Sequence, residues 1–163
     1  MKWLYRFVFF LAALIVQFSI LPRFGSIYLE PNLLLIVIVL FSLTNRAESS
    51  CILAFILGLV MDVNTGDLLG SNAFIWVQIA MLNNSIRKYL IVDSIPVQIM
   101  MTAFSYLLAS TIHFILLRIT IYDETLARYL LAIFARAAIT ALFTAPVSFI
   151  MFKYVLPANK EYA

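Results

Sequence analysis

Six apolar stretches, joined by short polar connections, leave almost no chain for anything except membrane helices. The chain has 163 residues, of which 64% are hydrophobic and 12% charged; soluble domains run near half apolar and a quarter charged. A spanning helix takes about 20 residues, so the length accommodates about six or seven spans and no separate soluble core. That excludes a soluble ATPase, kinase or nucleic-acid module within this chain. The net charge of +3 comes from scattered basic residues, a topology signal rather than a nucleic-acid surface. With Cys51 as the single cysteine, no internal disulfide forms.

The expected fold is an all-α integral membrane domain over residues 1–163, a bundle of six transmembrane helices. Span one is about Trp3–Leu21, with Trp3 and Tyr5 as interfacial anchors. No small-residue cleavage site follows its apolar run, so it reads as a retained helix rather than a signal peptide. Span two follows Pro31 as Leu33–Leu43, span three is Ser50–Met61, span four roughly Gly70–Lys88, span five Pro96–Leu117 and span six Tyr129–Tyr154, with Pro146 a candidate kink. Eleven strongly apolar residues cover only about 16 Å of a ~30 Å hydrocarbon core. Spans two and three are therefore either shielded by protein or tilted in a thinned bilayer.

Six spans put both termini on one side. On that side fall Lys2, Arg6, Arg46, Arg87, Lys88, Lys153 and Lys160; opposite fall Arg23, Arg118 and Arg128. The basic excess places both termini in the cytoplasm.

Arg136 lies inside the last apolar run, where a guanidinium costs about 2.5–3.5 kcal/mol on insertion scales. Arg136, Thr140, Thr144 and Ser148 recur every four residues and form one polar row along a helix. Beside them Ala137, Ala141 and Ala145 form a small-residue row suited to close helix packing. Ile139, Leu142, Phe143, Phe149 and Ile150 cover the side suited to lipid. Span five carries Gln98, Thr102, Ser105, Ser110, Thr111 and His113, with His113 near its outer end.

A third cluster closes span three. Gly58, Asp62, Gly66 and Gly70 are spaced four apart, and three of the chain's four glycines fall in these 13 residues. Asn64 and Asp67 supply turn and N-cap chemistry before span four. The expected orientation puts Asp62, His113 and Arg136 in the outer half of the bilayer, so Asp62 is expected to neutralise Arg136 directly or through water. No HExxH, GxSxG or GxxxxGK[ST] motif occurs, and a single histidine cannot build a multi-histidine metal site. No enzymatic activity, metal or cofactor is expected.

The order Pro31-Asn32-Leu33-Leu34-Leu35-Ile36, then Gly58-Leu59-Val60-Met61-Asp62, then Gly66-Asp67-Leu68-Leu69-Gly70 resembles the rod shape-determining MreD family over about a quarter of the chain. The resemblance implies a compact six-helix fold like the substrate-binding subunit of energy-coupling-factor transporters. It also implies a non-enzymatic scaffold in the bacterial inner membrane that binds MreC and works with MreB, RodA and RodA's partner transpeptidase in lateral peptidoglycan synthesis. The competing reading is a vitamin-type binding subunit of a transporter. Such subunits dock through Ala-x-x-x-Ala on the first helix, whereas span one has adjacent Ala12-Ala13.

Overall fold

The computed structural model describes residues 2–24, 31–66, 68–92, 94–118 and 126–155, with side chains placed over 8–23, 31–66, 68–92, 94–116 and 130–153. The side chains of Lys2, Trp3, Tyr5, Arg6, Arg118 and Arg128, and all of Asp67 and Lys160, lie outside the described residues.

Every regular element among the described residues is helical: α1 (Lys2–Ile15), a π-helical turn (Val16–Ile20), α2 (Leu21–Phe24), α3 (Leu33–Thr44), α4 (Ala47–Thr65), α5 (Ser71–Ile86), a 3-10 turn (Arg87–Tyr89), α6 (Ile95–Arg118), α7 (Leu126–Ile150) and a final π-helical turn (Met151–Val155). The helices coincide with the six expected segments. Three stretches are long and apolar enough to cross a membrane: Ala47–Thr65, Ile95–Leu116 and Leu130–Lys153. Val8–Arg23 and Leu33–Thr44 are shorter apolar helices, and α5 is a 16-residue helix interrupted by Asn72, Gln78, Asn83 and Asn84.

The organising element is α3. Every residue from Leu33 to Leu43 is buried, and α3 packs against α1, α4, α5, α6 and α7. A helix apolar on all sides has no preferred face and settles where it is enclosed. At twelve residues it is about 18 Å long, and its neighbours take the place of lipid around it. The apolar run of span three is lengthened by its polar ends. Polar residues at both ends, Ala47-Glu48-Ser49-Ser50 and Asp62-Val63-Asn64-Thr65, extend α4 to 19 residues, and Ile52, Phe55, Ile56 and Val63 are exposed on its outer face. Shielding by protein thus applies to α3 but only to one face of α4.

The other surfaces sort in the same way. On α7, Leu142, Phe143, Phe149 and Ile150 are exposed, whereas Thr140 and Thr144 are fully buried and Ala137 and Ala141 nearly so. Ile139 and Ala145 are intermediate. Apolar side chains outside and a paired polar row inside is the arrangement a hydrocarbon solvent selects.

Candidate functional site

The Gly-x-x-x-Asp stretch builds a helix-to-helix junction. A Cβ on Gly58 would lie 2.4 Å from the Ala73 Cα and 2.6 Å from the Ala73 nitrogen, so the backbones of α4 and α5 touch there and only glycine fits. One turn later, Asp62 is 1% exposed and its carboxylate caps α5. Oδ2 accepts from the backbone N–H of Gly70 at 2.9 Å and Ala73 at 3.4 Å. Oδ1 accepts from the Asn72 N–H at 3.0 Å, Asn72 Nδ2 at 2.9 Å and Ser71 Oγ at 3.2 Å. The first N–H groups of a helix have no internal partner and carry positive partial charge. The N-cap of α5 is Gly70, which has no side chain, and Asp62 supplies the missing acceptor from the preceding helix. Gly66 (φ 71°) and Gly70 (φ 94°) take the left-handed conformation that lets the chain turn back tightly. The Gly66 N–H donates to the Asp62 carbonyl at 3.1 Å.

A direct Asp62–Arg136 pair, one of the two expected forms, is not formed. Both carboxylate oxygens are engaged with the start of α5, and no contact to Arg136 is among them. Asn64 does not cap α5 either: it lies within α4 and donates back to the Val60 carbonyl at 2.7 Å.

Asn32, after Pro31, has an equally specific task. Asn32 caps α3, its Oδ1 accepting from the Leu35 N–H at 3.0 Å. Its own N–H donates to Thr140 Oγ1 at 3.3 Å, and the Leu33 N–H donates to Gln17 Oε1 at 2.8 Å. Gln17 sits in the π-helical turn, a deformation that recurs at sites needing an altered side-chain direction. At the other end of α3, Asn84 Nδ2 donates to the carbonyls of Ser42 (2.9 Å) and Asn45 (3.3 Å), and Arg87 donates to Asn45. Both ends of the short helix are thus satisfied from its neighbours. The polar row on α7 extends this network: Thr144 donates to the Thr140 carbonyl at 3.0 Å and Ser148 to Gln98 Oε1.

Arg136 and His113 meet elsewhere. They line a half-open cavity of about 200 Å³ where α3, α4, α5, α6 and α7 converge, with Asn32, Thr65, Asn72, Tyr106 and Ser110 as its other polar residues. Leu35, Met61, Trp76 and Ile133 form much of its apolar wall. The Tyr106 hydroxyl is within hydrogen-bonding reach of Arg136 and Ser110. Asp62 stands behind this wall and is linked to it through Asn72. Among the described residues no group of three His, Cys, Asp or Glu could hold a metal.

The structure thus distributes the sequence-selected residues over three places. Gly58, Asp62, Gly66 and Gly70 form the α4–α5 junction, and Asn32, preceded by Pro31, caps α3 and donates its N–H to Thr140. His113 and Arg136 form a cavity with Asn32 at its edge. Gln17, Asn84, Trp76 and Tyr106 were not singled out from sequence. Gln17 is an isolated amide in an apolar run, a readable signal; Tyr106 and Trp76 carry none beyond their type.

A chain with only helices among its described residues, three membrane-length apolar stretches and buried polar rows belongs to the class of helical membrane proteins. Residues 1–156 match the family described as rod shape-determining protein MreD, and the chain belongs to that family. Membership implies a role in rod shape determination. Comparisons with curated proteins and with solved structures gave no match.

Proposed function

We propose that this protein is a non-enzymatic scaffold of the bacterial rod complex in the inner membrane. On this reading six helices cross the bilayer, both termini face the cytoplasm, and the fold is like that of energy-coupling-factor binding subunits. The scaffold binds MreC and acts with MreB, RodA and RodA's partner transpeptidase to direct lateral peptidoglycan synthesis. The carrying observation is the family match over residues 1–156. Physical support comes from how little the polar connections offer a partner: two residues separate α3 from α4, and a short segment joins α5 to α6. Exposed apolar faces on α4, α6 and α7, including Phe55, Phe104 and Leu131, leave ample surface for a single-span partner. The alanine row is a poor candidate for that contact, since Ala137 and Ala141 are already buried within the chain.

The test is depletion followed by microscopy, with co-purification of the single-span coiled-coil partner. Loss of rod shape together with recovery of MreC supports the proposal. Normal rods, or intact recovery of the rest of the complex without this chain, would refute it. One observation favours a second reading as the binding subunit of a small-molecule transporter: the polar-lined cavity. Normal shape with loss of vitamin uptake on depletion would select it.

A further inference from the structure

We infer that the two connections at one end of the bundle, α3 to α4 and α5 to α6, form a single surface that docks on anionic phospholipid headgroups. The inference goes beyond the scaffold reading and does not depend on it; it needs only a chain seated in a bilayer. Its first basis is that the two connections are joined. Asn84 Nδ2 and Arg87 both donate to the Asn45 carbonyl. The Arg46 carbonyl accepts from the Ser50 N–H at 3.1 Å and from Ser50 Oγ at 2.9 Å. The backbone carrying Arg46 is thus held beside the 3-10 turn that carries Arg87 and Lys88. The side chains of Arg46 and Lys88 are exposed, and guanidinium and ammonium groups are the side chains that bind phosphate. Two acids share these stretches: Glu48 is exposed on the first turn of α4, and Asp93 lies outside the described residues. Charge alone therefore does not settle the occupant.

The second basis is apolar exposure beside the charge. Tyr89 is 87% exposed and Ile91 78%. Leu90 and Val92, which alternate with them, pack against the main core. The segment is also tied by hydrogen bonds: the Leu90 N–H donates to the Arg87 carbonyl at 3.2 Å, the Ser94 N–H to the Ile91 carbonyl at 3.1 Å, and Gln98 Nε2 to the Val92 carbonyl at 2.7 Å. Anchoring Leu90 and Val92 inward leaves Tyr89 and Ile91 outward. A bilayer surface accommodates this combination, with cations at the phosphates, a tyrosine ring at headgroup level and an aliphatic side chain at the acyl boundary. Position supplies the third basis and favours lipid over an acidic protein. Arg46 immediately precedes the membrane-length stretch Ala47–Thr65, and Ile91 lies four residues before Ile95–Leu116. The patch therefore stands where two membrane-length apolar helices begin, at the level of the headgroups.

The experiment uses the full chain reconstituted in phosphatidylcholine with and without phosphatidylglycerol, with retained lipid read by native mass spectrometry. The unaltered protein should retain phosphatidylglycerol in preference to phosphatidylcholine, and the preference should fall as salt rises. Lys88→Gln should lower it about fivefold, and Arg46→Gln combined with Lys88→Gln about tenfold or more. Arg23→Gln, at an exposed arginine on α2, should leave it unchanged. Depth is read separately from a nitroxide on Ile91→Cys in a Cys51→Ser background, which should be more accessible to oxygen than to a water-soluble nickel chelate. If the double variant fails to fold, Lys88→Gln and the nitroxide carry the test. Absence of a phosphatidylglycerol preference, or an equal loss in Arg23→Gln, would overturn the assignment. So would a nitroxide lying in bulk water, a result that points to a protein partner instead.

Discussion

Replacing Asp62 tests the junction on which the α4–α5 hairpin depends. The carboxylate is 1% exposed and accepts from three backbone N–H groups, one hydroxyl and one amide. An ordinary N-cap contributes about 0.5–2 kcal/mol, and a hydrogen bond to a charged group about 1.5–3. The five bonds share one carboxylate and are not additive. With Asp62→Ala the Gly70, Asn72 and Ala73 N–H groups lose this acceptor, each with a desolvation penalty of about 1–3 kcal/mol when buried. A loss of about 3–5 kcal/mol follows. Asp62→Asn is the sharper test because it keeps the volume. It removes the charge facing the helix dipole and turns an NH2 toward N–H donors, so about 2–3 kcal/mol should still be lost. The assay is detergent-solubilised unfolding combined with hydrogen exchange at the amides of Gly70, Asn72 and Ala73, which should exchange faster than those of α7. An unchanged midpoint and unchanged exchange in Asp62→Asn would refute the capping argument. So would recovery of stability on combining Asp62→Arg with Arg136→Asp, because that result requires these two residues to interact with each other rather than Asp62 with the start of α5.

Gly58→Ala should destabilise by about 2 kcal/mol or more through overpacking. Because the clash is with Ala73 backbone atoms, adding Ala73→Gly should not restore the unfolding midpoint. Gln17→Leu removes the acceptor of the Leu33 N–H and should lower stability by about 1–3 kcal/mol in the same assay. Asn84→Leu releases the Ser42 and Asn45 carbonyls at a similar cost, with increased exchange near the end of α3. Ala141→Phe, at a buried position, should cost about 1–3 kcal/mol, whereas Leu142→Ala on the exposed face should leave the midpoint within about 0.5 kcal/mol.

Helix existence was legible because runs such as Leu33–Leu43 contain few polar interruptions, and the inward side of α7 was legible because Arg136, Thr140, Thr144 and Ser148 repeat every four residues. Other features had no comparable signal. A continuous apolar run reads the same whether its surroundings are lipid or protein, so the enclosure of α3 emerges only from the neighbours packed around it. The apolar run of α4 does not by itself show how far its polar ends continue the helix. Formal charge alone pairs Asp62 with Arg136, whereas its direct partners in the fold are mainly uncharged N–H dipoles eight to eleven residues away. That alternative needs Gly58 to bring two backbones together, which spacing alone does not reveal.

The interior polar residues divide by how deeply they are buried. Twelve described polar or charged residues are buried: Gln17, Ser42, Ser50, Asp62, Asn83, Asn84, Gln98, Thr102, Ser105, Thr140, Thr144 and Ser148. Each has a hydrogen-bond partner inside the chain, from Gln17 with the Leu33 N–H to Asn83 with Ser105. In a medium without water such groups must be satisfied internally, so their presence is explained by folding alone. Arg136, His113 and Ser110 also have partners, but they are only partly buried and border open volume. Folding does not require a guanidinium at that depth, since an apolar residue would enter the bilayer more readily. The Gly-x-x-x-Asp and Pro-Asn elements hold the starts of α5 and α3, both of which border that open volume.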